Sequence, residues 1–373
     1  MTRGRGQPAG LAQRSHSTPS TGSTRAAPPW RRVRLWACAG VAVAVIAAGG
    51  VAAWGATQLA PVAPSPSAVV EVDIPAGAGT AAIADLLHGR GLIRSPRAFR
   101  LLARWLGLDG RLQVGEYALS ADMTPRAILD RLAHGRVITV SFTVPEGYTV
   151  RRLASLLAER GLADAAAFLA VAKDASFLPP SAFAAGGAAA DVMFPLEGYL
   201  FPDTYVVPRR AGPEGIARAM TARFEQVLAP YTARMAELKL TLPQVLTLAA
   251  IVEKEARVPA ERATISAVFH NRLKRGMALE ACPTVKYALD IADDVPSVAL
   301  TYAELDFDSP YNTYRNPGLP PGPICNPGEA AIRAALYPEA SDYLFFVAKP
   351  DGSHAFSRTY AEHLAQVRRW QGQ

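Results

Sequence analysis

The sequence predicts an α+β protein carried on a single N-terminal transmembrane helix. Three observations predict it. An uncharged run of membrane length lies near the start, a strand–turn–helix unit occurs twice in the middle, and an almost wholly apolar helix follows further on.

The chain has 373 residues, more than one average domain, and half of them are hydrophobic, so most of it should fold. Its formal net charge of +7 suggests nucleic-acid binding until its distribution is read. Residues 1–34 hold seven arginines and no acid, which leaves 32 basic and 32 acidic residues in the remainder. The folded part is therefore neutral, and no nucleic-acid partner is expected. Residues 1–34, rich in Ser, Thr, Gly, Pro and Arg, read as a disordered cytoplasmic tail.

Leu35 to Ala56 (35–56) is the transmembrane segment: 22 residues without a charge, with Trp36 and Trp54 near its ends. Arginines crowd its N-terminal side and the first charge beyond it is Glu71, so the positive-inside rule keeps the tail in the cytoplasm. A signal peptide cut near Ala60 is the alternative, against which stand the length of the basic region and of the apolar run. Residues 57–69 contain Pro61, Pro64 and Pro66 and read as a stiff spacer.

The repeat occupies 70–165, at an offset of 70 residues. Ile74, Pro75 and Gly77 match Val144, Pro145 and Gly147; Ile83, Leu86 and Leu87 match Leu153, Leu156 and Leu157; Arg90-Gly91-Leu92 matches Arg160-Gly161-Leu162. Each copy reads as strand, Pro-Gly turn, amphipathic helix and glycine stop. Between them, Arg97–Leu106 reads as helix, Gly115–Leu119 as strand, and Thr124-Pro125 as a helix start. The first copy with its following strand resembles a LysM-like module, a small carbohydrate-binding fold; a plain α+β support domain is the other reading. Residues 179–190 read as loop, within a C-terminal α+β domain spanning 166–373.

Thr241-Leu242-Pro243-Gln244 forms a capping box with proline in the first turn. Val245, Leu248, Ala249 and Val252 follow at helical spacing, and Leu246, Ala250 and Ile251 make the helix apolar nearly all round, hence central. It runs into Glu253-Lys254-Glu255. Two residues apart on a helix, the acids point about 200° from each other and cannot share one environment. The apolar stripe continues to 255, which puts Glu255 slightly nearer the buried side. A carboxyl against apolar walls holds its proton near neutral pH and can act as general acid. On spacing alone, ordinary pairing of either acid with Lys254, Arg257 or Arg262 is the stronger reading.

A wider series of motifs accompanies these acids. It comprises Glu197-Gly198-Tyr199-Leu200-Phe201-Pro202-Asp203-Thr204-Tyr205, Ile251 to Ala256, Val268-Phe269-His270-Asn271-Arg272-Leu273 and Pro283-Thr284-Val285. Ser309-Pro310-Tyr311-Asn312-Thr313-Tyr314, Gly318-Leu319-Pro320-Pro321-Gly322-Pro323-Ile324 and Asn326-Pro327-Gly328 complete it, with Tyr343 to Ala348 and His354-Ala355-Phe356 downstream. The series resembles the endolytic murein transglycosylase family, YceG-like, over roughly residues 70–365.

The resemblance implies a bacterial inner-membrane enzyme with its catalytic domain outside the cytoplasm. It implies cleavage within nascent peptidoglycan glycan strands, between N-acetylmuramic acid and N-acetylglucosamine, leaving 1,6-anhydromuramyl ends, with peptidoglycan synthases as neighbours. It places the catalytic acid and base at Glu255. Candidate substrate contacts are Glu253, Asn271, Thr284, Tyr311, Asn312 and Tyr314, of which Asn271 reads more readily as a structural hydrogen-bonding group and the Tyr311–Tyr314 loop equally as one. His354, beside an Asp351-Gly352 turn, reads as structural. No metal or cofactor is expected, since the six histidines show no ligand spacing.

Cys282 stands where family members often carry an acid, and a Cys282–Cys325 disulfide tying two loops is a further expectation. Two other functions stay open: a non-catalytic membrane-anchored glycan-binding or division scaffold, and a true hydrolase with a second acid among Glu253, Glu261 and Asp308.

Overall fold

The computed structural model describes residues 29–187, 191–291 and 300–371, with side chains from residue 40 onward. Helix α1 spans Pro29–Gln58, longer than the uncharged run itself. Its Gly40–Gln58 stretch is apolar and long enough to cross a bilayer, and none of it is buried against the rest of the chain. The segment after it is held rather than free. The Arg94 guanidinium donates to the Pro61 carbonyl at 2.8 and 3.0 Å, and the Ser67 hydroxyl bonds Asp122 at 3.0 Å.

A first module follows: β1 (Val69–Ile74), α2 (Thr80–Gly89), α3 (Pro96–Trp105), β2 (Gly115–Ser120) and α4 (Pro125–Ala133). Ser95 and Thr124 cap α3 and α4 through their hydroxyls, each followed by proline at the first helical position. The strands pair antiparallel with Val72 opposite Tyr117. Val72, Ile74, Ile83, Leu87, Phe99, Tyr117 and Leu132 close one small core.

The second repeat copy, β3 (Thr139–Thr143) and α5 (Val150–Glu159), packs elsewhere. Its strand pairs with β4 (Thr204–Pro208), Phe142 opposite Tyr205. Its buried residues Phe142, Val150, Leu153 and Leu157 belong to the larger core. The cores thus divide near residue 138, whereas the sequence suggests a division at 165. Next come α6 (Ala165–Lys173) and α7 (Pro180–Ala184), the latter a single turn inside the stretch read as loop, begun by Pro180.

Helices α8 (Gly212–Leu228) and α9 (Thr232–Leu238) lead to α10 (Leu242–Glu255), which opens on the expected Thr241–Gln244 capping box. Every residue of α10 from Val245 to Val252 is buried. Around it lie α11 (Arg262–Lys274), α12 (Cys282–Ala288), α13 (Tyr302–Leu305) and α14 (Glu329–Leu336). The hairpin β5 (Phe345–Ala348) and β6 (His354–Ser357) turns at Asp351-Gly352, and α15 (Tyr360–Trp370) ends the fold.

Candidate active site

The end of α10 sorts its two acids. Glu253 is tied into the scaffold: Arg262 Nη2 lies 3.2 Å from its Oε1, and the Gly328 N–H donates to Oε2 at 3.2 Å. Glu146, from the turn of the second repeat copy, shares that arginine at 3.8 Å. Its carboxyl is pushed up by burial first and by the charge of Glu253 second. Glu253 is thus an ion-paired helix-end residue.

Glu255 differs. It is the last residue of α10, partly buried, and among the described residues its carboxyl has no hydrogen bond or ion pair. Burial raises it to about 7, while Lys286 and Arg257 pull it the other way. The negative end of the helix dipole works in the same sense as burial. Such a carboxyl is proton-bearing and proton-free in comparable amounts near neutral pH, as a group that must give and then take a proton requires.

Helix α12 and the 309–316 loop stand against it. Tyr314 Oη meets Cys282 Sγ at 3.0 Å, and the charge of Glu255 reaches both groups. Burial raises the Tyr314 phenol well above its ordinary range, so it stays a hydrogen-bond donor. Cys282 is exposed, whereas Cys325 is buried with its sulfur 3.6 Å from the Ala250 carbonyl oxygen. The expected disulfide does not form, because the two sulfurs face different surroundings.

The remaining candidates are placed one layer back. Thr284 Oγ1 donates to the Ala281 carbonyl at 2.8 Å and meets Thr313 Oγ1 at 3.0 Å, pinning the loop to α12. Asn312 donates to the Leu305 and Phe307 carbonyls at 2.9 and 2.8 Å and accepts from the Tyr314 N–H. Tyr311 is buried with its ring 5.1 Å from that of Tyr287. Asn271 donates to the Ser341 and Tyr343 carbonyls at 2.9 and 3.0 Å, anchoring the approach to β5. Of the proposed contacts, only Tyr314 stands beside Glu255. His354 is structural as read, its Nδ1 2.7 Å from Glu261.

Sequence reading passed over Glu197 and Asn326 as individual residues. Both are fully buried. Glu197 accepts from the Val150 N–H at 3.0 Å, the Asn326 amide at 3.1 Å and the Tyr287 hydroxyl at 3.1 Å. Burial nonetheless pushes it up to about 8, against those donors. Asn326 Oδ1 accepts from the Gly198 and Leu200 N–H groups at 2.9 and 3.0 Å, and its amide also donates to the Tyr148 carbonyl at 2.9 Å. Gly198 has φ +87°, and a Cβ there would lie 2.6 Å from Pro323 Cγ, so the close approach requires glycine. The usable signal was a lone acid embedded in the aromatic run Glu197 to Phe201.

Beside this knot opens a cleft of 560 Å³. Lys254 and Pro283, the chain neighbours of Glu255 and Cys282, form part of its wall. Among the described residues no group of three or more His, Cys, Asp or Glu is placed to hold a metal ion.

The sequence matches the YceG-like family over residues 72–369. It is 35% identical over 323 residues to the endolytic murein transglycosylase of Bacillus subtilis (strain 168), covering 84% of this chain and 88% of that one. It is 29% identical over 355 residues to the endolytic murein transglycosylase of Streptococcus pneumoniae serotype 2 (strain D39 / NCTC 7466), and spans 63% of that protein's length. A crystal structure of a YceG-like protein from Listeria monocytogenes superposes with a TM-score of 0.56 at 33% identity, covering 81% of this chain and all of that one.

Proposed function

The chain belongs to the YceG-like family, and on that premise we propose that it is a lytic transglycosylase of peptidoglycan with Glu255 as its single acid and base. The observation that carries this is the contrast at the end of α10, where Glu253 is ion-paired and Glu255, partly buried and without a partner among the described residues, is held near 7.

One carboxyl suffices for that reaction. Glu255 protonates the oxygen between N-acetylmuramic acid and N-acetylglucosamine as the C1–O bond breaks. The C6 hydroxyl of the same muramyl ring then attacks C1 and returns its proton to Glu255. The new C1–O6 bond gives a 1,6-anhydro end, and no water enters. Holding the C6 hydroxyl in place supplies proximity that a hydrolase must obtain by binding water. In this reading Tyr314, kept neutral beside Glu255, donates a hydrogen bond to the sugar. An ordinary glycosidase needs a second carboxyl. Glu253 and Glu261 are engaged by Arg262 and His354, which disfavours them for that task.

In this reading α1 crosses the plasma membrane once, N-terminus inside, and the enzyme acts on nascent strands beside the peptidoglycan synthases and ends their elongation. The first module, strand–helix–helix–strand with its strands paired, serves as a LysM-like support that meets glycan. A scaffold that only bound glycan would have no use for an acid held near 7 at position 255.

Digestion of uncrosslinked glycan strands by the detergent-solubilised chain tests the proposal, with mass spectrometry of the new ends. Anhydromuramyl ends are expected from the wild type and a loss of about 10³-fold from Glu255→Gln. Reducing muramyl ends, or undiminished cleavage by the variant, would sink it.

A further inference from the structure

The 560 Å³ cleft beside Glu255 does not include Glu255 itself, and the single-acid mechanism makes no use of it. Its lining is charged with both signs. Arg151, Arg152 and Lys254 contribute cations, and Glu146 and Asp290 contribute acids. Arg151 is braced by Asp290 at 2.9 Å and lies 5.4 Å from the centre of the Phe194 ring. Arg152 sits on the exposed side of α5, 5.7 Å from the centre of the Tyr148 ring. The walls between these charges are Tyr148, Tyr287, Ile291 and Ile324. An acetylated sugar has no charge to offer such a surface, and mixed charges around apolar walls suit a peptide. Planar guanidinium groups in particular match carboxylates.

The chemistry of the substrate puts a peptide there. In peptidoglycan the peptide stem is attached through the lactyl group at C3 of N-acetylmuramic acid, the sugar whose C1 bond is cut. A stem therefore leaves the strand within one ring of the group that protonates the bond. The cleft lies at that remove, since Lys254 and Pro283 in its wall adjoin Glu255 and Cys282 in the chain.

Building on the transglycosylase reading, we propose that this cleft is a stem-peptide subsite. Arg152 and Lys254, in its wall, receive stem carboxylates. The enzyme then selects strands that carry stems over bare or modified ones.

The test uses the full chain in detergent and two strand preparations, one with intact stems and one with stem carboxylates capped as methylamides. The rate of anhydromuramyl end formation is measured for wild type, Arg152→Gln and Arg152→Lys. Arg152 is exposed on a helix surface, so neither substitution threatens the core. The wild type is expected to prefer intact stems about tenfold or more, the size of one charged contact. Arg152→Gln is expected to shrink that ratio below about threefold and Arg152→Lys to restore most of it. A wild type that cuts both preparations equally, or an Arg152→Gln variant that keeps the full ratio, overturns the subsite while leaving the transglycosylase reading intact. Failure of the wild type to make anhydro ends from either preparation overturns that reading and this one with it.

Discussion

The two copies of the repeat share local chemistry and differ in surroundings. Gly77 and Gly147 both turn at positive φ, +79° and +76°, and Gly91 and Gly161 both stop their helices at +68° and +64°. The Leu92 N–H returns to the Leu87 carbonyl at 3.0 Å as the Leu162 N–H returns to that of Leu157 at 2.9 Å. Yet the space beyond Gly77 is empty, whereas Gly147 faces Glu253 and Lys254 at the end of α10. The first copy begins α2 at Gly79 without a side-chain cap; the second begins α5 at Thr149, whose hydroxyl accepts from Arg152. One unit therefore builds a support in one place and a wall of the candidate active site in the other. Neighbours decide the role, and the repeat itself does not.

The sharpest way to break that contrast is to cut what binds the second copy to the site. Asn326 bridges Tyr148 of that copy, Glu197, and the Gly198 and Leu200 N–H groups. Asn326→Ala leaves several buried groups unpaired at about 1–3 kcal/mol each, partly relieved by water, so a loss near 4 kcal/mol is expected. Denaturant unfolding measures it. A loss below about 1 kcal/mol would mean that the second copy is held by apolar packing alone.

Next in size is the pH response of Glu255, at the end of the helix that the second copy borders. Glu255 acts first as an acid, so its protonated form is the active one. With its pKa raised to about 7, kcat/KM should be flat below that value and fall tenfold per unit above it. That is about a hundredfold over two units, or about 2.7 kcal/mol. A rate that instead rises through pH 7 would make Glu255 a base toward water, as in a hydrolase. Changing Glu253, which is paired with Arg262, to Gln should leave that limb in place.

These residues also mark how far the sequence could be read. The α10 start was legible because a capping box needs only residues 241 and 244. Glycine turns and the repeat were legible for the same local reason. The separate fates of Glu253 and Glu255 were not, since a helix that is apolar nearly all round puts Glu255 only slightly nearer its buried side. Arg262 and Gly328, reached through the fold, settle the state of Glu253. Glu197 and Asn326 were illegible as a pair because 129 residues separate them, and the contacts to Val150, Tyr148 and Tyr287 span 47, 178 and 90 residues. Tyr311, Asn312 and Thr284 read as sugar contacts because polar and aromatic groups after proline suit that role. Burial turns them inward to hold the loop that presents Tyr314.

A smaller effect separates the copies directly. Gly77→Ala and Gly147→Ala each force a side chain into left-handed backbone, at about 1–2 kcal/mol. The first has open space around it and should change thermal stability alone. In the second, the new Cβ comes within 3.6 Å of Glu253 and 3.7 Å of Lys254, in the turn that walls the cleft. A several-fold fall in kcat/KM is expected for Gly147→Ala beyond any matched loss in Gly77→Ala. Equal kinetic effects would show that the turns are interchangeable and that the contrast between the copies is only topological.

The weakest link is the ionic seam between the two strand pairs. Arg209 and Arg210, just past β4, reach Glu71, Asp73 and Glu116 on β1 and β2 at 2.5 to 2.7 Å. All of these groups but Glu116 are substantially exposed to water, where such pairs contribute little and salt screens them. Replacing both arginines by alanine should lower the melting temperature by no more than about 2 °C at low salt, and by nothing measurable in 1 M salt. If the double variant instead melted in two steps, the seam would be what joins the first module to the second copy, and the copies would be independent bodies. A single transition places that coupling in the continuous chain between α4 and β3, where the Ile138 N–H still bonds the Glu116 carbonyl at 2.7 Å.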